Sequence, residues 1–402
     1  MKELRPETRD FILQHADEDI HQLALQSSRF PQVEMTEAIC QIAARQTARA
    51  KLPSWWEHSE IRYPKHLSME QCSSEITARY KAGLIPKEII GGSMTDLSGG
   101  LGVDFYHLAK QMNRATYVEK QAELCELARH NFPLLGLKNA QVIQADSTAY
   151  LATLSTQDLL FIDPARRDYT GKKVVAISDC EPDIAAIQQL LLAKSTWVMV
   201  KLSPMLDITQ TLNLLPHTKE VHVVAVNGEC KELLVLLTSE ANSNQALIHC
   251  VNLSADENAP FPEAFKFTSG EEAASACEYA NAPEAYLYEP HAAILKGGAY
   301  RIVAQRYGLK KLHPNSHLYT ASHCVSNFPG RTFTVSSYGG FNKKELKELP
   351  KKANVSIRNF PSKVDDLKKK LKITDGGEEF LFATTLYNGE KKWINCRKAD
   401  TN

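Results

Sequence analysis

Asp96-Leu97-Ser98-Gly99-Gly100-Leu101-Gly102-Val103-Asp104 and Phe161-Ile162-Asp163-Pro164-Ala165-Arg166-Arg167 decide how this chain folds. Asp163 lies 63 positions beyond Gly100. Each segment closes an apolar run that reads as a strand, and the first leads straight into a helical pattern. In an open α/β sheet, the loops at strand carboxyl ends are where a ligand sits. A glycine loop at the first such edge and an acidic-proline loop at the fourth therefore predict one cleft served by both.

Around these loops, residues 89–240 alternate short apolar runs with helical stretches, the pattern of a parallel sheet. Strands are expected near Met94–Leu97, Ala115–Glu119, Ala140–Gln144, Leu159–Ile162 and Trp197–Lys201. Val221–Val226 and Leu233–Thr238 complete a set of seven, and Asn227-Gly228 between them favours the positive φ of a hairpin. Residues 1–88 read as helices. Phe11, Ile12, Ile20, Leu23 and Leu25 recur at helical spacing, and Ser68 with Gln71 resembles a capping box opening a helix through Tyr80. Trp55-Trp56 reads as core or docking surface.

Asn242-Ser243-Asn244 marks a boundary, after which 245–328 reads as a small mixed unit with Ala292–Tyr307 helical and Leu318–Val325 extended. The remainder, 329–402, reads as strand 331–337, helix 343–350, strand 353–358, helix 362–371 and two strands joined at Asn388-Gly389. The expected fold class is α/β: a helical amino-terminal region, a seven-stranded Rossmann-like sheet, then two small α+β units.

At 402 residues, two to four domains are expected, and a hydrophobic share of 43% is enough to build their cores. Net charge is zero, so no bulk positive field advertises a polyanion, yet the charge is uneven. Arg331 to Asp400 carries 16 Lys and Arg against 9 Asp and Glu, an excess of +7 that leaves −7 elsewhere. A basic terminal unit beside an acidic body suits a polyanion contact or a merely solvated lysine face. Nine scattered cysteines with no C-x-x-C pair, and 13 histidines at no ligand spacing, argue against a metal centre and a disulfide framework. No apolar leader or membrane-length stretch is found, so a reducing cytoplasm is the expected compartment.

The loops suit a sulfonium methyl donor better than a dinucleotide. Gly100 and Gly102 would clear space for its methionine portion, with Ser98 and Gly99 completing the turn. Asp96 would hydrogen-bond its amino group, Glu119 its ribose hydroxyls, and Asp146 with Ser147 its adenine. The third glycine of G-x-G-x-x-G is missing, and Asp104 would oppose a pyrophosphate at the helix start. Asp163-Pro164 presents a carboxylate that could orient an acceptor amine, so the chemistry would be mostly positioning. Arg166 and Arg167 could bind substrate phosphate or pair with Asp168, Asp179, Glu181 and Asp183. Cys180 is a poor thiolate between carboxylates, which weakens any scheme needing a cysteine nucleophile.

Together these segments resemble bacterial class I S-adenosylmethionine-dependent methyltransferases with a carboxyl-terminal THUMP-like domain, over nearly the whole chain. The likeness rests on Leu67-Ser68-Met69-Glu70-Gln71, Thr77-Ala78-Arg79-Tyr80-Lys81-Ala82, the glycine loop and the Asp163-Pro164-Ala165-Arg166-Arg167 loop. Tyr288-Glu289-Pro290 resembles the opening of a ferredoxin-like domain, and Asn359-Phe360-Pro361 with Phe382-Ala383-Thr384-Thr385 the THUMP-like part. The resemblance implies S-adenosyl-L-methionine as cofactor, Asp163, Pro164 and Arg166 as catalytic positions, and a structured RNA (tRNA or rRNA) methylated on a base nitrogen. A protein or small-molecule acceptor, or a non-catalytic binding module, are the alternatives.

Overall fold

The computed structural model describes residues 4–64, 66–166, 177–256 and 259–399. Its first sheet contains β1 (Ser93–Asp96), β2 (Arg114–Glu119), β3 (Ala140–Gln144), β4 (Gln157–Ile162), β5 (Ser195–Leu202), β6 (Thr218–Val226), β7 (Glu229–Leu237), β8 (Leu247–Leu253) and β9 (Phe265–Thr268). The strand order is β9-β8-β6-β7-β5-β4-β1-β2-β3. β1 through β5 pair in parallel, and β7 lies antiparallel to β5 with Leu202 opposite Leu233. Leu159 to Ile162 are all at most 1% exposed, as expected of a parallel strand covered on both faces.

Seven strands are expected and nine are found. The extra two, β8 and β9, come from the stretch after Asn242-Ser243-Asn244, where Ile248, Cys250, Val251 and Leu253 are all buried. The Asn227-Gly228 reading holds, with φ of 49° and 83° at the two positions.

The chain divides into two compact units: Met1–Glu220 with Leu233–Ser243 and Ala255–Phe261, and Val221–Glu232 with Asn244–Ser254 and Pro262–Asn402. In the first, the helices Pro6–Gln14, Ile20–Leu25 and Met35–Lys51 enclose a core of Phe11, Ile12, Leu23, Val33, Ala38 and Ile42. Trp55 is fully buried against Tyr106, and Trp56 carries the guanidiniums of Arg45 and Arg49 over its ring. The helix expected from Ser68 to Tyr80 is two, His66–Gln71 and Glu75–Ala82, parted by Cys72-Ser73-Ser74.

The second unit holds a mixed sheet in the order Lys310–Lys311, Tyr319–Ala321, Tyr286–Pro290, Gly330–Gly339, Lys391–Lys398, Glu379–Thr385, Asn354–Arg358. Leu287, Leu318, Phe333, Phe382 and Ile394 pack its core, and buried Glu289 accepts from both Arg331 and Arg358. The helix expected over 292–307 breaks after Gly297, because Gly298 turns left-handed (φ 84°). The helix expected over 343–350 is a single 3-10 turn, Glu345–Glu348. No helix among the described residues is long and apolar enough to cross a membrane.

Candidate active site

The site is built at the carboxyl ends of β1 to β5, within the first unit. Asp96 closes β1 and is 1% exposed; its Oδ1 accepts from the Ser98 amide at 2.8 Å and the Ser98 hydroxyl at 3.0 Å. Burial raises this carboxyl to about 7, against the lowering effect of those two bonds. The Ser98 Oγ also accepts from the Asp163 amide at 2.7 Å, so one hydroxyl clasps the end of β1 to the end of β4. Where a glycine would be usual, this serine has work that only a side chain can do.

The glycines of the loop answer first to the aromatics beneath them. A Cβ on Gly99 would sit 2.4 Å from the Tyr117 ring; one on Gly102, at φ 87°, would sit 2.8 Å from Phe132. The Tyr117 hydroxyl donates to the Gly100 carbonyl at 2.5 Å, and the Gly100 amide donates to Glu119 Oε2 at 3.0 Å. Close packing of loop on sheet therefore accounts for Gly99 and Gly102 without appeal to a ligand.

A cleft of about 330 Å³ opens beside this loop. Ser98, Glu119, Asp146, Ser147 and Asp163 all line it, whereas Asp96, Gly99, Gly100, Gly102 and Pro164 do not. Glu181 and Asp183 join the lining, giving five carboxylates against Lys120. Such a wall attracts a cation and repels phosphate. Glu119 spends Oε1 on the Gln121 amide at 2.8 Å, and each of its oxygens keeps a lone pair. Asp146 caps the helix Ser147–Thr153, its Oδ1 taking the amides of Thr148 and Ala149, while Oδ2 has no protein partner among the described residues.

Behind the cleft runs a chain of alternating charges. Lys201 Nζ donates to Asp163 Oδ2 at 2.5 Å and stands 3.7 Å from Asp104 Oδ2. Asp104 Oδ2 accepts from the Ser73 hydroxyl at 2.7 Å, and Oδ1 faces Lys81 Nζ at 3.1 Å. Burial by itself would raise the Asp104 carboxyl, but the two ammoniums outweigh it and hold it below the usual range. Sequence reading weighed Asp104 only as a charge at a helix start and missed Lys201. The signal was available: Ile162 and Val200 are partners in the parallel register, so the residues after them, Asp163 and Lys201, are neighbours.

Ala165–Arg166 pairs with Cys180–Glu181 as a short antiparallel ladder. The roles read onto the Arg166 side chain, Arg167 and Asp168 lie outside the described residues. Cys180 is 4% exposed and does not line the cleft, and Asp183 caps the helix Ile184–Lys194. His291, which follows Glu289-Pro290, is half-buried and desolvation pushes its ring down to about 4, so it is a neutral group.

Residues 286–329 match a ferredoxin-like domain family, and residues 330–398 match a THUMP domain-like family. A crystallised protein of Porphyromonas gingivalis W83, assigned as a methyltransferase, is 37% identical, with 100% of each chain covered and a TM-score of 0.87. An uncharacterised S-adenosylmethionine-dependent methyltransferase of Mycobacterium tuberculosis is 21% identical over 311 residues, 76% of this chain and 80% of its own. A 23S rRNA (uracil(747)-C(5))-methyltransferase of Yersinia enterocolitica is 28% identical over 149 residues, covering 36% of this chain and 39% of that one.

Proposed function

The chain belongs to the S-adenosylmethionine-dependent methyltransferases that end in ferredoxin-like and THUMP-like domains, and from that premise we propose that it methylates a base nitrogen of structured RNA. The observation that carries this reading is the cleft itself, lined by five carboxylates, Asp163 among them, and one lysine. That lining fits a cofactor bearing a sulfonium and an ammonium, and disfavours one bearing a pyrophosphate. Glu119 is the candidate for the ribose hydroxyls and Asp146 with Ser147 for the adenine. Asp96, reached through Ser98, is the candidate for the amino group. In the same reading 1–88 is a helical domain and 89–240 the catalytic domain, while the units 245–328 and 329–402 contain the ferredoxin-like match at 286–329 and the THUMP domain-like match at 330–398, with β8 and β9 adding to the first sheet.

When bound, S-adenosylmethionine supplies an electrophilic methyl group. Asp163 Oδ1, which has no protein partner among the described residues, accepts a hydrogen bond from the acceptor N–H and aims its lone pair. Asp163 Oδ1 would also take the acceptor's proton as the nitrogen is methylated. Pyrimidine C5 chemistry needs a cysteine nucleophile, and among the described residues no cysteine lines this cleft. RNA is favoured as substrate by the THUMP domain-like match and the +7 excess of residues 331–400. Comparing nucleoside mass spectra of RNA from wild-type and deletion strains tests the proposal. Loss of one base-N-methylated nucleoside is expected; an unchanged inventory, or loss of a C5- or ribose-methylated nucleoside, would overturn it.

A further inference from the structure

A lysine ammonium held at 0% exposure, as Lys81 is, is costly unless carboxylates compensate it, and Lys201 at 14% is nearly as enclosed. Both converge on Asp104, itself fixed by the Ser73 hydroxyl. Stability alone does not call for this cluster, since apolar side chains of similar volume would pack there at equal or lower cost. Of its charged members only Asp163, 38% exposed, lines the cleft. The chain therefore ends on a carboxylate that a surface position would otherwise leave free to rotate.

We propose that Lys201 is a positioning residue for methyl transfer: it fixes Asp163 by one oxygen and leaves the other turned to the acceptor. Asp104, clamped by Lys81 and Ser73, fixes Lys201 in turn. This inference rests on Asp163 being the acceptor-orienting group. The helix Glu75–Ala82, which carries Lys81, and the strand β5, which carries Lys201, thus set the geometry of a loop that neither belongs to. Catalytic groups must be held within about 0.5 Å to be effective, and a carboxylate tethered only through its own backbone is not.

The test compares wild type, Lys201→Met and Lys201→Arg. Methyl incorporation into total RNA from a deletion strain gives kcat and KM, calorimetry gives cofactor affinity, and crystal structures locate the Asp163 carboxylate. Lys201→Met is expected to lower kcat about 30- to 100-fold, leave cofactor affinity and both KM values within about threefold, and displace the carboxylate by about 1 Å. Lys201→Arg should recover at least about tenfold of the loss. A kcat within about threefold of wild type, a loss matched by lost cofactor affinity, or an unmoved carboxylate would overturn the inference. Lys201→Gln replaces Lys201→Met if the latter fails to fold. If wild type transfers no methyl to any RNA, the RNA reading fails, and the crystal structures alone decide whether Lys201 positions Asp163.

Discussion

At the residue scale, Asp96 and Asp104 are buried carboxyls eight positions apart, flanking the glycine loop, with pKa shifts of opposite direction. Asp96 is raised to about 7 by burial, so its folded form favours the proton. The stability this contributes is full at acid pH and is lost as pH rises through about 7. Asp96→Asn should therefore melt above wild type at pH 8, with the gap closing toward pH 5. The same substitution should weaken cofactor binding. A cofactor amine needs Asp96 ionised, so wild-type affinity should fall up to about tenfold per unit below pH 7, read by calorimetry between pH 8 and 5.5. A flat profile would detach Asp96 from the cofactor. Asp104 is lowered, so its contribution is present above the unfolded carboxyl value and lost as pH falls through the lower folded one. Asp104→Asn removes the carboxylate that Lys81 and Lys201 share and should cost about 3 kcal/mol in urea unfolding at pH 7. A cost under about 1 kcal/mol would show that Asp163 and water compensate the lysines without Asp104.

At the scale of elements, the strands β1 to β7 were legible because buried parallel strands are short apolar runs bounded by turn residues. Glu119, Asp146 and Asp163 followed from their places at strand ends. The clasp made by Ser98 was not legible, since a loop residue's partner depends on which strand lies beside it. Lys201 was hidden for the same reason, being a partner set by register and not by motif. Helix limits failed where one glycine decided them, as at Gly298, and where Ser73 left the helix to serve Asp104. The two added strands were read as a separate small unit because the Asn-rich link looked like a boundary. The glycine loop yields its own prediction. Gly99→Ala should lower the melting temperature by the equivalent of about 1–3 kcal/mol, because Tyr117 cannot retreat without losing its bond to Gly100. Unchanged melting would mean the loop floats free of β2.

For the whole molecule, zero net charge hides an acidic cleft and a basic terminal region. If that region grips phosphates, RNA affinity should fall linearly on a log–log plot against salt. Exposed Lys369 and Lys370, on the helix Val364–Leu371, are suited to test it. Changing both to Glu in the full chain should reduce the slope by about 2 while leaving cofactor affinity unchanged. An unaltered slope would place the RNA elsewhere. The most direct measurement for the account as a whole is a crystal structure with S-adenosylmethionine bound. The ribose is expected on Glu119, the adenine beside Asp146, and the methyl group facing Asp163. A cofactor seated in another cleft, with Glu119 still holding the Gly100 and Gln121 amides and Asp146 those of Thr148 and Ala149, would contradict it.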